Sequence, residues 1–269
     1  MDSIILLIII IILNLLGILS FILNYIEKYN NNYSKMLHII VPYRDRKSNL
    51  NKLLPRLEQY ISRKYKVWVI EQYDKKLFRR GNLLNIGYKE LKKRGIIKNT
   101  DDIVLHDVDD LPLMGKGADY SKSSMGVVRQ LFGGSPNWKT LGGIILMNAS
   151  DFEKVNGFST RFIGYGKEDD DFYLRVERAG LIIDRKNTSF RVDDPNEPRF
   201  EELKHDKPTI TLDINIDRNK IVEDNIKRLQ DSINNPTLQQ KEGLNTTLYK
   251  IVSENIINNN TVKLSVLIK

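Results

Sequence analysis

Short apolar runs alternate with amphipathic segments over residues 37–105, and this pattern restricts the fold more than any other feature of the sequence. Apolar runs at residues 37–41, 67–70 and 103–105 predict three buried β-strands. Apolar residues recur at helical spacing after Ser48, which we expect to cap that helix, and again over residues 83–91. The alternation predicts an α/β fold with a mainly parallel central sheet and helices packed against it.

Polar side chains follow each predicted strand, at residues 43–46, 71–72 and 106–110. In open α/β sheets the ligand site lies beyond the carboxyl ends of the strands, so we expect these segments to line a functional site. Farther along, residues 209–236 contain a charged helical stretch that predicts a surface arm. Residues 262–268 alternate like a strand, which we place at the sheet edge.

An almost unbroken apolar stretch at residues 4–23 predicts a transmembrane helix, because it can cross a bilayer core of about 30 Å. A cleaved signal peptide is disfavoured, since no basic residue precedes the stretch and no small-residue cleavage site follows it. Lys28 and Lys35 lie after the span and none lie before it, a small charge bias toward a cytosolic main domain. This bias is too small to decide between a cytosolic and a lumenal main domain.

Five segments follow from these patterns. We predict an N-terminal transmembrane anchor (1–25), a polar stem (26–36), the core of the main domain (37–208), a helical arm inserted into it (209–240) and the C-terminal part of the same domain (241–269).

The charge and the cysteine content of the chain restrict the kinds of partner and site that it can have. A net charge of +8 suits a polyanionic partner, but basic residues are spread along the chain without a long basic run, which argues against nucleic-acid binding. There are no cysteines, so a disulfide framework, a thiolate zinc site and a cysteine nucleophile are all excluded.

Two carboxylates, Asp107 and Asp109, follow the third predicted strand directly. Like charges at the mouth of a buried strand repel unless a cation or hydrogen-bond donors compensate them. Hard oxygen ligands suit Mn2+ or Mg2+, either of which can bridge protein to a diphosphate. The alternative is an acidic loop that caps a helix.

A second acidic run, Glu168 to Asp171, follows the glycine-rich segment 164–166 and precedes a predicted helix. Acidic residues at a helix N-terminus are stabilising in themselves, which is the alternative explanation. Four acids in succession exceed what capping requires, and glycines let the backbone approach a sugar closely. One of these carboxylates is therefore a candidate general base for an acceptor hydroxyl.

With these residues laid out, the chain resembles the β-1,4-galactosyltransferase family in motifs that run in order from residue 37 to the C-terminus. Among family members it is most similar to the xylosylprotein galactosyltransferases, through residues 106–113, 142–146 and 179–181. The other matching segments are residues 42–46, 69–72, 78–87, 156–158, 164–171 and 242–245.

The resemblance implies a GT-A fold, a UDP-galactose donor, Mn2+ (or Mg2+) and an inverting displacement onto a sugar hydroxyl of a glycan or glycoside. It also implies a type II, Golgi-like membrane protein with a lumenal catalytic domain. The residues that it assigns to the nucleotide sugar are Pro42, Arg44, Arg46, Arg80, Asp107, Val108, Asp109 and Gly143. It makes Asp109 the direct metal ligand and Asp169 the catalytic base, and it places Tyr165, Glu168 and Asp170 on the acceptor side.

Three departures from the family pattern bear on specificity. The signature loop begins with Ile163 where the family has tryptophan, which puts the acceptor preference in doubt. Residues 190–195 contain no histidine where the family binds its metal, so Asp193 or Asp194 is expected to supply an oxygen ligand instead. Thr140 stands where many relatives have tyrosine beside the donor hexose, so UDP-GalNAc or UDP-glucose is an alternative donor.

Two other classes of function compete with the enzyme. A catalytically degenerate relative that binds a glycan or nucleotide is suggested by the missing histidines and the missing tryptophan. A membrane-tethered interaction protein would carry both acidic clusters as surface charge only. The acids Asp109 and Asp169 favour the enzyme over both.

Overall fold

The computed structural model describes residues 12–23, 35–194, 198–204 and 217–269. The chain forms two units, Met1–Lys35 and Met36–Lys269. In the first unit, residues 12–23 form a helix, α1, with exposed apolar side chains. Within the described residues, no helix is both long and apolar enough to cross a membrane. The rest of the predicted anchor, most of the stem and residues 209–216 of the predicted arm lie outside the described residues.

A mixed central sheet organises the second unit. Nine strands of the described chain join it, in the order β10-β11-β2-β1-β3-β6-β5-β7, with β8 paired to β5. The short strands β4 (Asp110–Pro112) and β9 (Phe200–Glu202) form a separate antiparallel pair. The strands of the central sheet are β1 (Leu37–Tyr43), β2 (Tyr65–Gln72), β3 (Asp102–His106), β5 (Val127–Gly133), β6 (Ile144–Asn148), β7 (Ile182–Asp184), β8 (Ser189–Phe190), β10 (Tyr249–Asn258) and β11 (Thr261–Ile268).

The three predicted N-terminal strands are confirmed as β1, β2 and β3, with β1 parallel to both neighbours. Strand β6 runs antiparallel to β3 and β5, so the parallel character is limited to part of the sheet. The predicted C-terminal strand is confirmed as β11, but its predicted edge position is wrong. It lies parallel to β2, and β10 takes the edge because it forms an antiparallel hairpin with β11.

Helices cover the sheet on both faces. The helices of this unit are α2 (Lys47–Tyr60), α3 (Arg80–Lys93), α4 (Ala149–Lys154), α5 (Glu168–Arg178), α6 (Arg218–Asn234) and α7 (Leu238–Lys241). The helices predicted after Ser48, over residues 83–91 and within the arm are present as α2, α3 and α6. Ser48 does not cap α2: the capping position is Arg46, because the chain turns at Asp45, whose φ is +52°.

Two hydrophobic clusters fill the space between the sheet and its helices. Consecutive residues of β1 alternate between them, with Ile40 in one cluster and Ile39 in the other, as the two-residue period of a strand requires. Leu83 of α3 packs in the first cluster and Leu53 of α2 in the second. The result is a three-layer arrangement in which the loops after the parallel strands β1, β2 and β3 lie at one rim of the sheet.

Candidate active site

The segment between β3 and β4 carries the first acidic cluster. His106, the last residue of β3, is fully buried, and its Nδ1 lies 2.7 Å from the carbonyl oxygen of Asp107, to which it must donate. Its Nε2 then accepts from the hydroxyl of Tyr120 at 2.9 Å. Burial lowers the pKa of His106 to about 4, so the ring is neutral. His106 therefore has a structural role that fixes the start of the acidic segment.

Three carboxylates converge in this segment. Asp107, Asp109 and Asp110 each offer an oxygen, and these atoms lie within 4.8 Å of one another. Three hard oxygen atoms at that separation fit a divalent cation such as Mn2+ or Mg2+. Asp110 is fully buried, and both of its oxygens accept from Arg191 at 2.8 Å.

Arg80, at the start of α3, connects the two acidic clusters. Its Nε donates to Asp107 at 2.6 Å, and one terminal nitrogen donates to Asp169 at 2.8 Å. Desolvation lowers the pKa of Arg80, but the Asp107 and Asp169 carboxylates outweigh it and raise that pKa above its usual value. The arginine therefore brings together two acids that are far apart in sequence.

The second acidic cluster lies at the first turn of α5. Its capping residue, Lys167, has a left-handed conformation with φ of +74°. The Asp169 carboxylate packs against Gly142, where any side chain would collide with it. Desolvation raises the pKa of Asp169, opposed by Arg80 and reinforced by Glu168 and Asp107. A partly buried carboxylate with an elevated pKa is a candidate general base.

The loop before α5 contacts the helical arm. The Asn225 side chain of α6 donates to the carbonyl oxygens of Ile163 and Tyr165, at 3.0 and 3.2 Å. The Tyr165 ring is 65% exposed, and the Arg218 guanidinium lies 4.9 Å from its centroid. An exposed aromatic face at the rim of an acidic cleft is suited to stacking on a sugar.

Comparison with known proteins identifies the family. One family model, the N-terminal region of glycosyl transferase group 7, matches residues 28–118, and another, the N-terminal domain of galactosyltransferase, matches residues 124–206. Together they span more than half of the chain. The xylosylprotein 4-beta-galactosyltransferase of Caenorhabditis elegans is 32% identical over 190 residues, which cover 64% of this chain and 63% of that protein. The chain belongs to the β-1,4-galactosyltransferase family.

Other family members match shorter parts. Human beta-1,4-galactosyltransferase 7 is 36% identical over 159 residues, which cover 55% of this chain and 46% of that protein. The chain thus spans about half to two thirds of the length of the curated relatives that it matches. The catalytic domain of Drosophila beta-1,4-galactosyltransferase 7, solved with xylobiose, has a TM-score of 0.65 and 25% identity, covering 87% of this chain and 94% of that chain. The GT-A fold is thereby confirmed.

The remaining nucleotide positions expected for the family lie around the same rim. Pro42 is a buried residue of β1, and Arg46 begins α2. Arg44 donates to the carbonyl oxygen of Lys76 at 2.5 Å, and its guanidinium lies 5.3 Å from the Phe78 centroid.

Two further positions, Val108 and Gly143, are buried. Gly143 has φ of +77°, and a side chain there would lie 2.5 Å from the carbonyl oxygen of Phe132. Glycine can therefore adopt this backbone conformation, whereas a larger residue would require the neighbouring backbone to shift.

The two aspartates expected as additional metal ligands lie outside the carboxylate group. Asp194 accepts from the Ser189 hydroxyl and from the Phe190 backbone, at 2.8 and 2.7 Å. Asp193 is exposed and has a left-handed backbone with φ of +54°. Their assignment as ligands stays a prediction.

Three residues of the site were not predicted as such. Asp110 completes the carboxylate group, Arg191 neutralises it, and Gly142 leaves room for Asp169. Asp110 was visible in the acidic run after β3, whereas Arg191 is separated from it by 81 residues and gave no local signal.

Proposed function

We propose that this protein is an inverting β-1,4-galactosyltransferase that transfers galactose from UDP-galactose to a xylose-type acceptor, with Mn2+ (or Mg2+) as cofactor. The observation that supports it most is Arg80, which joins the metal-binding carboxylates to the candidate base. The Caenorhabditis elegans relative named xylosylprotein 4-beta-galactosyltransferase, and the Drosophila enzyme solved with xylobiose, support the acceptor class.

The donor side is assigned to the strand ends and the first turn of α3. Asp107 and Asp109 would hold the cation, which supplies positive charge to the diphosphate of the leaving nucleotide. Arg80 and the pair Arg44 and Arg46 contribute guanidinium groups for the phosphates. Pro42, Val108 and Gly143 shape the surface on which the nucleotide lies.

The chemical step is assigned to Asp169. Its carboxylate accepts the proton of the acceptor hydroxyl while that oxygen bonds to the anomeric carbon from the face opposite UDP. The bond between the anomeric carbon and the UDP oxygen breaks, and UDP leaves with the electron pair. A single base is sufficient for inversion, and the neighbouring acids Glu168 and Asp170 are left to orient the acceptor with Tyr165.

Transfer itself provides the test. We would incubate the protein with UDP-galactose, Mn2+ and a β-xyloside, measure UDP release and determine the product linkage by NMR. A new β-1,4 linkage is expected. Release of UDP without sugar transfer, or binding of UDP without turnover, would instead support the degenerate relative.

A different donor is the second candidate, because Thr140 occupies the position of the family tyrosine. A smaller residue beside the hexose leaves room for an N-acetyl group. UDP-GalNAc and UDP-glucose should be compared with UDP-galactose in the same assay. Preference for UDP-GalNAc that disappears in Thr140→Tyr would assign the donor to this residue.

We also propose that residues 4–23 anchor the protein as a single-pass, type II membrane protein with a lumenal, Golgi-like catalytic domain. The support is the uninterrupted apolar sequence together with the family membership. Carbonate extraction of membranes tests the anchor, and protease protection of the C-terminus distinguishes the lumenal from the cytosolic orientation.

A further inference from the structure

Arg80 is shared between the two acidic clusters through two of its three guanidinium nitrogens. Its side chain is 10% exposed, and its Nε and one terminal nitrogen are committed to Asp107 and Asp169. The other terminal nitrogen is buried without a hydrogen-bond partner in the described structure. A buried donor without a hydrogen-bond partner is unfavourable, so this nitrogen is available to donate to a newly bound anion.

The donor diphosphate is that anion if the proposed function is correct. A phosphate that binds a guanidinium through a fork of two nitrogens needs the unpartnered terminal nitrogen of Arg80 and also the terminal nitrogen that contacts Asp169, so it competes with that carboxylate. Asp169 is the weaker competitor, because its side chain is more exposed than that of Asp107 (29% against 19%) and its contact with Arg80 is longer (2.8 against 2.6 Å). Asp107 and Arg80 would keep their contact at the metal side.

We propose that Arg80 holds the Asp169 carboxylate, as it does in this structure, and exchanges it for the donor diphosphate when the UDP-sugar binds. Arg80 is thus a positioning residue for the base as well as a ligand of the nucleotide. While it is bonded to Arg80, the carboxylate is a poor proton acceptor. Its release on donor binding makes the base available only when the sugar to be transferred is in place, which protects bound water or acceptor from unproductive deprotonation.

The exchange predicts that changing Asp169 alters UDP affinity, which would not happen if Asp169 and UDP did not compete for Arg80. Removing the charge of the competing acid in Asp169→Asn should tighten Mn2+-dependent UDP binding about tenfold, because a charge-assisted hydrogen bond no longer has to be broken. Calorimetry with UDP and Mn2+ measures this directly. An unchanged UDP affinity in Asp169→Asn would overturn the proposal.

Two controls separate the exchange from a general charge effect. Glu168→Gln removes the neighbouring negative charge without removing a hydrogen bond to Arg80, so it should tighten UDP binding much less. When Arg80→Lys is already present, adding Asp169→Asn should tighten UDP binding only slightly. The exchange would be overturned if Glu168→Gln tightened UDP binding as much as Asp169→Asn does, or if Asp169→Asn tightened it fully in the Arg80→Lys background. Electrostatic repulsion alone would then explain the change in UDP affinity.

The inference rests on the proposed function, and the same titration distinguishes the two failures. Wild-type protein that binds no UDP with Mn2+ overturns the proposed function and this inference together. Wild-type protein that binds UDP with the same affinity as Asp169→Asn overturns the exchange alone.

Discussion

Replacement of the candidate base gives the sharpest test of the chemical assignment. Asp169→Asn keeps the size of the side chain and an oxygen able to accept from Arg80, but the amide cannot take a proton from an acceptor hydroxyl. A positioned general base contributes on the order of 100 to 10,000-fold in rate. We therefore expect kcat to fall by that factor, while UDP binding is tightened.

The assay is steady-state transfer at saturating UDP-galactose and xyloside, with kcat and KM measured separately. Asp170→Asn is the matched control, because Asp170 lies in the same helical turn and forms an ion pair with Lys167 at 2.8 Å. It should raise the acceptor KM more than it lowers kcat. A loss confined to kcat indicates an interaction made mainly in the transition state. Near-normal kcat in Asp169→Asn, or an equal loss in Asp170→Asn, would refute the assignment.

The pH dependence adds an independent criterion. Desolvation raises the pKa of Asp169 above that of an ordinary carboxyl group, and a base is active only when deprotonated. Activity should therefore fall as pH decreases, with an apparent pKa above the usual carboxyl range. The residual activity of Asp169→Asn should lack this acidic limb. An identical limb in the variant would assign it to another group.

Three further perturbations follow from the structure. Asp109→Ala should abolish Mn2+-dependent UDP binding in calorimetry, and unchanged affinity would exclude Asp109 as the metal ligand. The double variant of Asp193 and Asp194 to alanine should weaken Mn2+ dependence if either residue is a ligand, and wild-type dependence would place that ligand elsewhere. Arg175→Met should destabilise the protein by about 3 to 5 kcal/mol, because it leaves the fully buried Asp171 without its partner. Thermal unfolding should then shift down by about 10 °C, and an unchanged Tm would contradict this.

The part of the fold that the sequence predicted is the part with local periodicity. Strands β1 to β3 are continuous apolar runs and helices α2 and α3 have regular apolar spacing, so neighbouring residues alone identify them. Strand β10 was missed because its side chains are largely exposed, and Ile256 is 78% exposed. Its position at the edge depends on a hairpin with β11, which no local pattern reveals.

The same distinction applies to the site. The acidic runs were visible because their residues are adjacent in sequence. The contact between Arg80 and Asp169 spans 89 residues and the contact between Asp110 and Arg191 spans 81, so both depend on the folded sheet. Sequence motifs thus predicted which residues to examine, but not the hydrogen bonds that join them.

The buried charge network behind α5 has a practical consequence for the limits of any recombinant fragment. Arg175 has no exposed side-chain surface, and Glu242 accepts from it at 3.0 Å. Glu242 and both strands of the β10–β11 hairpin lie beyond residue 206, where the second family model stops matching. A protein trimmed to that boundary would contain both acidic clusters, but the buried Arg175 guanidinium would lack Glu242, and β2 would lose its neighbour β11. The smallest piece that retains these supports extends to Ile268.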